Sequence, residues 1–470
     1  MKKTYIMTMP DSAGSLLQVS RIIAQEGGNI DRIDYQKAVD LHTLFLDVEA
    51  RREELKNITD KFNEMGLLYN PNPESEVILV ELKLPDKPGS ICPILEIINN
   101  YHVNISYIDS QNKDMPYQHF RMGLYVENHD VTGKLLNALS KECEVKVLDY
   151  SVTKKILDST VFYMSFADEM GSLLKLNANQ TSQFIAESNR IMQFLESQNE
   201  TPFKTFKYIR KFAKFVVNHK GDKFNPVIKE QQLSPKVHAF MIEPPCGSNI
   251  YILDDGEELL FVDGGFQCYI EETKKIIKDL IPDVEKIPKH MILTHADIDH
   301  TGLASWFDEV WVSDNCRDNL ERDYEGEDNF REQNPFHAPY CRLSKIITGY
   351  VPLEPSIYKV IGKKTDDSVL SKIGTLNFGD LNFMLFEGNG GHVKGETVFF
   401  DPDKKVIFTG DNFVNIKGFS EDQRAFNALA PYLMTSVNMD SQEATRCRQV
   451  LLKWTQGCFV CPGHGMWEYR

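Results

Sequence analysis

The sequence predicts an α+β chain of several domains, and three observations carry that reading. Residues 1–152 contain a duplicated pattern of strands and helices, residues 153–232 keep helical spacing without strands, and residues 233–470 interleave short apolar runs with loops rich in His, Asp and Gly. At 470 residues, 42% of them hydrophobic, the chain has the length and apolar content for about three domains with proper cores.

The duplication comes first along the chain. Met9-Pro10-Asp11-Ser12-Ala13-Gly14-Ser15-Leu16 recurs as Leu84-Pro85-Asp86-Lys87-Pro88-Gly89-Ser90-Ile91, and Gly28-Asn29-Ile30 recurs as Val103-Asn104-Ile105, both at a shift of 75 residues. Each copy, 1–75 and 76–152, reads as strand, Gly-containing turn, amphipathic helix, two strands, helix and a last strand. In the first copy the helix is expected over Ser15 to Gln25, with strands over Ile30 to Tyr35 and Thr43 to Val48. The Asp-x-x-Gly-x-hydrophobic turn, with an Asn opening the next strand, resembles the ACT domain, a ferredoxin-like βαββαβ module. The resemblance implies a small effector, often an amino acid, bound near Asp11, Gly14, Leu16, Asn29 and Ile30 and near Asp86, Gly89, Ile91, Asn104 and Ile105, and assembly into a homodimer or larger. Such a Gly is needed for the turn whether or not a ligand binds, so the pair serves either effector regulation or assembly.

Residues 153–232 read as a mostly helical linker. Phe166 to Leu173 echoes the Gly turn, but Gln183 to Asn199 and Phe203 to Asn218 have helical spacing and lack the strands a third module needs.

Four short segments of the last third carry the chemistry: Thr294-His295-Ala296-Asp297-Ile298-Asp299-His300, Gly391-His392, Thr409-Gly410-Asp411 and Pro462-Gly463-His464-Gly465. Each follows an apolar run and reads as a loop at the end of a buried strand. Imidazoles and carboxylates brought from several strands to one rim of a sheet are what a two-metal site needs. Together with Gly247-Ser248-Asn249-Ile250-Tyr251 and Leu259 to Gly265, these segments resemble the metallo-β-lactamase superfamily, whose fold is an αββα sandwich. The resemblance assigns His295, Asp297 and His392 to one divalent metal, Asp299, His300 and His464 to a second, and Asp411 to a bridge between them. Asp299 and Asp411 would also orient the attacking hydroxide. Asp263 is expected to orient a ligand loop rather than bind an ion. The superfamily's second His is here Asp297; a carboxylate hardens the donor set, so iron or manganese stand beside zinc, the family default.

Residues 307–368 read as material that the two-metal sheet does not require, with a charged helix over Asp314 to Glu327. Asn334 to Arg342 reads as a Pro-broken loop, fit for a substrate lid or for inert packing.

Composition narrows the function. A net charge of −16 opposes nucleic-acid binding, which draws most of its affinity from Lys and Arg on phosphates. No apolar stretch approaches the roughly 20 residues of a membrane span, and the N-terminal Met1-Lys2-Lys3 run meets Pro10 and Asp11 too soon for a secretion signal. Nine scattered cysteines point to reduced thiols and a cytoplasmic location. Cys458 and Cys461 form the sole CxxC spacing, in an expected strand where they face opposite sides. The reading is therefore a cytoplasmic binuclear metal-dependent hydrolase that uses a metal-bridging hydroxide on a small-molecule substrate, with ACT-type allosteric regulation or assembly. The alternative is a di-iron protein that binds, reduces or senses oxygen, related to the flavodiiron proteins.

Overall fold

The computed structural model describes residues 2–9, 15–38, 41–68, 76–85, 89–111, 117–126, 129–147, 159–198, 202–430 and 437–470. The chain divides into two units, Met1–Phe206 and Lys207–Arg470.

The first repeat runs β1 (Lys2–Met9), α1 (Ser15–Gln25), β2 (Asn29–Ala38), β3 (Leu41–Glu49) and α2 (Arg52–Glu64). Its strands form an antiparallel sheet in the order β1-β3-β2. Val19, Ile22 and Ile23 of α1 and Leu55, Ile58 and Phe62 of α2 recur at helical spacing and close over Tyr5, Met7, Leu44, Leu46 and Val48 of the sheet. The Tyr5 hydroxyl, buried with its ring, donates to the Leu55 carbonyl at 2.9 Å. Leu68 makes an isolated bridge with Met7, and residues 69–75, where the last strand is expected, lie outside the described residues.

The second repeat runs β4 (Glu76–Pro85), α3 (Cys92–Asn100), β5 (Asn104–Gln111), β6 (Tyr117–Val126), α4 (His129–Glu142) and β7 (Glu144–Val147). Its strand order is β5-β6-β4-β7, so the first and last strands of the repeat lie side by side. Ile94 and Ile98 of α3 and Leu135 and Leu139 of α4 cover Val80, Leu82, Met122 and Leu124.

Three helices follow: α5 (Ser159–Leu174), α6 (Ala178–Ser197) and α7 (Pro202–Asn218). The echo of the Gly turn at 166–173 lies inside α5 and is helix, not turn. Before α6, Asn177 Oδ1 accepts from the Gln180 N–H and Gln180 Oε1 accepts from the Asn177 N–H, both at 3.0 Å, a reciprocal cap that satisfies two helix-end donors.

The second unit holds two sheets. The first sheet is made of β8 (Val227–Gln232), β9 (His238–Glu243), β10 (Ile250–Asp254), β11 (Leu259–Val262), β12 (Lys289–Ile292), β13 (Val310–Ser313) and β14 (Tyr358–Gly362), in the order β14-β13-β12-β11-β10-β9-β8. Between its strands run α8 (Ile270–Leu280), α9 (Asp314–Glu325) and α10 (Ala338–Thr348). The second sheet follows the order β15 (Leu370–Phe378), β16 (Leu381–Gly388), β17 (Thr397–Asp401), β18 (Val406–Gly410), β19 (Phe459–Pro462) and β20 (Glu468–Tyr469), with α11 (Glu421–Asn427) and α12 (Ser441–Trp454) before β19.

Alternation along the strands builds the layers. Met241, Tyr251, Leu253, Leu260 and Val262 of the first sheet meet Phe383, Leu385, Phe399, Phe408 and Cys461 of the second. On the outer face of the first sheet, Ile252, Phe261 and Met291 pack against Ile277 of α8 and Leu320 of α9. On the outer face of the second, Val398, Ile407 and Val460 pack against Cys447 and Leu451 of α12. The result is an αββα order of layers. Cys461 lies in the inner cluster and Cys458 in the outer one, on opposite faces of the strand end, and all nine cysteines are free thiols.

Three features differ from the sequence reading. The first sheet begins at Val227, six residues before 233, because β8 pairs with β9 along its whole length. The stretch 307–368, expected to be dispensable to the sheet, supplies β13 and β14, which extend it in parallel beyond β12. Part of the expected loop at Asn334 to Arg342 is the start of α10, with Pro339 in its first turn, where a missing N–H costs nothing.

Among the described residues, no helix is long and apolar enough to cross a membrane.

Candidate metal centre

Strand direction brings the chemistry to one place. β11 and β12 are parallel neighbours, so Asp263 and the Thr294–His300 loop leave adjacent carboxyl ends; β18 and β19 are parallel too, which sets Asp411 beside the His464 loop. Backbone bonds lock the two sheets together at this rim: the Thr397 N–H donates to the Thr294 carbonyl (2.8 Å) and the Asn249 N–H to that of Gly463 (2.7 Å). Asn249 Nδ2 also donates to the Pro462 and Gly465 carbonyls (3.0 and 2.6 Å), bracing the loop that carries His464. Gly463 is a steric necessity, since a Cβ there would lie 2.1 Å from Asp411 Oδ1.

Three groups of donor atoms result, each within 4.8 Å of one another: His295, Asp297 and His392; His295, His300 and Asp411; and Asp299, His300 and His464. Two donors about 2.1 Å from one ion at a tetrahedral angle stand about 3.4 Å apart. The separations are 3.3 Å for His295 Nε2 to Asp297 Oδ2, 3.2 Å for His392 Nε2 to Asp297 Oδ2 and 3.4 Å for His464 Nε2 to Asp299 Oδ2. Asp411 stands between the groups: Oδ2 is 3.4 Å from His392 Nε2 and 3.3 Å from His464 Nε2, while Oδ1 is 3.6 Å from His300 Nε2. His295 Nε2, His300 Nε2 and Asp411 Oδ1 are buried without a hydrogen-bond partner. Such atoms are costly to bury unless something takes up their lone pairs, and divalent cations fit this donor set.

A second ring of contacts aims these atoms. Asp263, in the left-handed region at φ 61°, accepts from the Thr294 N–H and hydroxyl (both 2.8 Å) and from His300 Nδ1 (2.9 Å). His295 Nδ1 meets Thr294 Oγ1 at 2.9 Å, and His392 Nδ1 faces Asn438 Oδ1 at 3.3 Å. With their Nδ1 atoms engaged, His300 and His392 turn Nε2 toward the centre. Glu396, fully buried, accepts from the backbone N–H groups of Asp411 and Asn412 (2.6 and 2.8 Å) and so fixes the chain on which Asp411 sits.

Charges are strongly coupled. Burial alone would push the Asp411 carboxyl up, but His464 and His300 overcome it and hold it well below the usual range. Burial likewise opposes the charge on His464, yet Asp411 and Asp299 raise it to about 10. For Glu396 burial wins and its carboxyl is pushed up.

Arg331 escapes sequence reasoning. It lies between α9 and α10, and its Nε and Nη2 grip both oxygens of Asp297, Nε at 2.6 Å from Oδ1. Its Nη2 is also 2.8 Å from His392 Nε2. Nothing in its local sequence marks it, since it sits 34 residues from Asp297 in a charged stretch without periodicity. Glu396 has a fainter signal, as a charged residue close before the Val398-Phe399-Phe400 run.

Of the effector positions, Asp11, Gly14 and Asp86 lie outside the described residues. Leu16 and Asn29 are exposed, Ile30, Ile91 and Ile105 are half-buried, Gly89 has φ 82° and Asn104 opens β5.

The C-terminal sequence itself places the fold. Residues 244–446 match the family model of the metallo-beta-lactamase superfamily. The C-terminal part of this chain is a metallo-β-lactamase superfamily domain. Solved structures similar to it include the BLEG-1 B3 metallo-beta-lactamase, 18% identical over 52% of this chain and 93% of that one, TM-score 0.30. A metallo-beta-lactamase from Pontibacter korlensis is 14% identical over 52% of this chain and 94% of that one, TM-score 0.31. A flavoprotein from Thermotoga maritima is 14% identical over 53% of this chain and 58% of that one, TM-score 0.35. No curated protein matches the chain. Six of the seven donor residues lie within the matched stretch and His464 just beyond it, and all seven follow the ends of β12, β16, β18 or β19.

Proposed function

We propose that the superfamily domain is a binuclear metal-dependent hydrolase. One observation carries the reading: Asp411 stands between two groups of donors, and its own Oδ1, His295 Nε2 and His300 Nε2 are buried without a hydrogen-bond partner. His295, Asp297 and His392 would hold one ion and Asp299, His300 and His464 the other, with Asp411 shared. The ions, when bound, supply a water deprotonated near neutral pH and a Lewis acid for a carbonyl or phosphoryl oxygen. Asp299 and Asp411 would orient that water, while Glu396 holds the Asp411 backbone and Asp263 accepts from His300 Nδ1. Cys461, the thiol nearest in sequence to His464, is no nucleophile: burial pushes its pKa well up, and the thiolate is the reactive form.

The carboxylate of Asp297 favours a second reading, a di-iron protein acting on oxygen, because an oxygen donor in place of an imidazole suits iron and manganese better than an all-imidazole triad does. For the N-terminal repeats, the β-α-β-β-α-β order of residues 76–147 supports an ACT-type module that binds a small effector or assembles the chain into a dimer or larger.

Asp411→Ala tests the leading reading. Without the shared carboxylate two cations would repel across the gap, so the variant should lose both ions by elemental analysis and all hydrolysis of ester, thioester and phosphodiester probes. Two retained equivalents would refute the bridge. Oxygen consumption by iron-loaded wild type, with no hydrolysis of any probe, would favour the second reading.

A further inference from the structure

Arg331 touches the candidate ligands where a metal ion is expected, and this contact has a chemical consequence. Its Nη1 donates to the Val437 carbonyl at 2.9 Å, its Nε and Nη2 fork onto the two Asp297 oxygens, and its Nη2 lies 2.8 Å from His392 Nε2. The side chain is only 11% exposed, so the guanidinium is held rather than roaming on a surface.

A guanidinium is always protonated and only donates, so His392 Nε2 must accept from it. On the other side of the ring Nδ1 lies 3.3 Å from Asn438 Oδ1, an acceptor, which suits a proton on Nδ1 and a lone pair on Nε2, while Nε2 also stands 3.2 Å from Asp297 Oδ2. A neutral imidazole has one such lone pair, and it serves either the Arg331 N–H or an ion. Asp297 is different, because a carboxylate has about four acceptor positions and the fork uses two. Among the described residues, the ion pairs of Asp299, His300 and His464 join His464 to Asp299 and run from the two histidines to Asp263 and Asp411, and they include no Arg or Lys.

We propose that Arg331 is an internal cation that competes with the metal for the His295–Asp297–His392 group, so that the two ion positions of this domain fill with unequal affinity. The position of Asp299, His300 and His464 fills first. The other fills only when Arg331 gives up His392, while its fork can stay on Asp297. The segment between α9 and α10 thereby controls whether the centre holds one ion or two.

The proposal rests on the binuclear reading, and the test separates the two. The full chain is stripped of ions and titrated with zinc, and separately with manganese, by calorimetry and chelator competition. Wild type should bind one equivalent tightly and a second about tenfold or more weaker, and Arg331→Gln should tighten the second by about 10–100-fold, the range typical of contacts that tune a metal ligand. In parallel, the Arg331 Nε–H resonance of 15N-labelled wild type should stay fixed through the first equivalent and move with the second, a readout independent of how any variant folds. Two equal affinities in wild type, an Arg331→Gln titration identical to wild type, or an Nε–H signal indifferent to the second equivalent would each overturn the proposal while leaving the binuclear centre intact. Wild type that binds no ion would overturn both.

Discussion

Asp263 Oδ2 accepts a hydrogen bond from His300 Nδ1 at 2.9 Å, and both side chains are buried. The contact fixes the tautomer: with the proton on Nδ1, the lone pair is on Nε2, the atom that faces Asp411. Asp263 reaches this place only because its backbone adopts φ 61°, a region that Asp and Asn enter more readily than other side chains.

Asp263→Asn keeps that backbone preference and removes the charge. Its amide would present either a donor to His300 Nδ1 or a weaker neutral acceptor, so the ring loses its fixed orientation. The expected result is an ion affinity about 10–100-fold lower at the position His300 serves, with the fold retained. Chelator competition measures it, and an unchanged affinity would remove Asp263 from any role at the centre.

Proton and ion compete for the same nitrogens. Burial disfavours charge on His464, but Asp411 and Asp299 raise its pKa from 6.5 to about 10 in the chain by itself. A folded-state value above the unfolded one means that this group's stabilisation is full below about pH 6.5 and disappears as pH rises through about 10. The melting temperature of chelator-treated protein should therefore fall across that window. Ion binding should show the opposite trend, tightening as the proton leaves, with proton release at pH 8 seen by calorimetry in buffers of different ionisation enthalpy. A melting temperature that rose from pH 7 to pH 9 would contradict the coupling.

At the other end of the chain, Gly89 has φ 82°, and a Cβ there would meet nothing within 4 Å. The constraint at this turn is thus backbone conformation rather than crowding, and Gly89→Val should strain the turn without clashing. If the repeats bind an amino acid or similar metabolite, a ligand panel should raise the melting temperature of wild type by mass action. Gly89→Val should abolish the shift and leave the ion content unchanged. A wild type that responds to no metabolite and runs as a monomer would reduce the repeats to a tether.

Parts of this structure are legible in the sequence for a local reason. His295, Asp297, Asp299 and His300 fall within eight residues after one strand, and His464 and Asp411 follow two others, so residue type and apolar run sit together in the text of the chain. Arg331 is not legible, because its meaning depends on a contact made across the excursion between β13 and β14. Those two strands are hard to read for a similar reason: Val310–Ser313 is only four residues long, and Tyr358–Gly362 carries Lys359 as its second residue, too little pattern to distinguish a parallel edge from a loop. The 69–75 stretch, where the first repeat was expected to finish its last strand, lies outside the described residues.

Arg331 also changes what a substitution at Asp297 should do. Considered as a ligand alone, Asp297→His restores an imidazole triad and shifts the preference from iron or manganese toward zinc. Yet the Asp297 carboxylate is what outweighs burial and keeps the guanidinium in place, and removing one partner of a buried pair typically costs about 3–5 kcal/mol. Asp297→His by itself should therefore lower the melting temperature and bind zinc poorly, because a fixed cation would face three imidazoles. Adding Arg331→Gln removes that cation and should recover both stability and zinc binding, leaving a coupling between the two substitutions well beyond the error of a double-mutant cycle. Denaturant melts of the wild type, both single variants and the double variant supply the four free energies. Additive effects would show that Arg331 and Asp297 act independently, and that their fork contributes nothing to the way this centre is held.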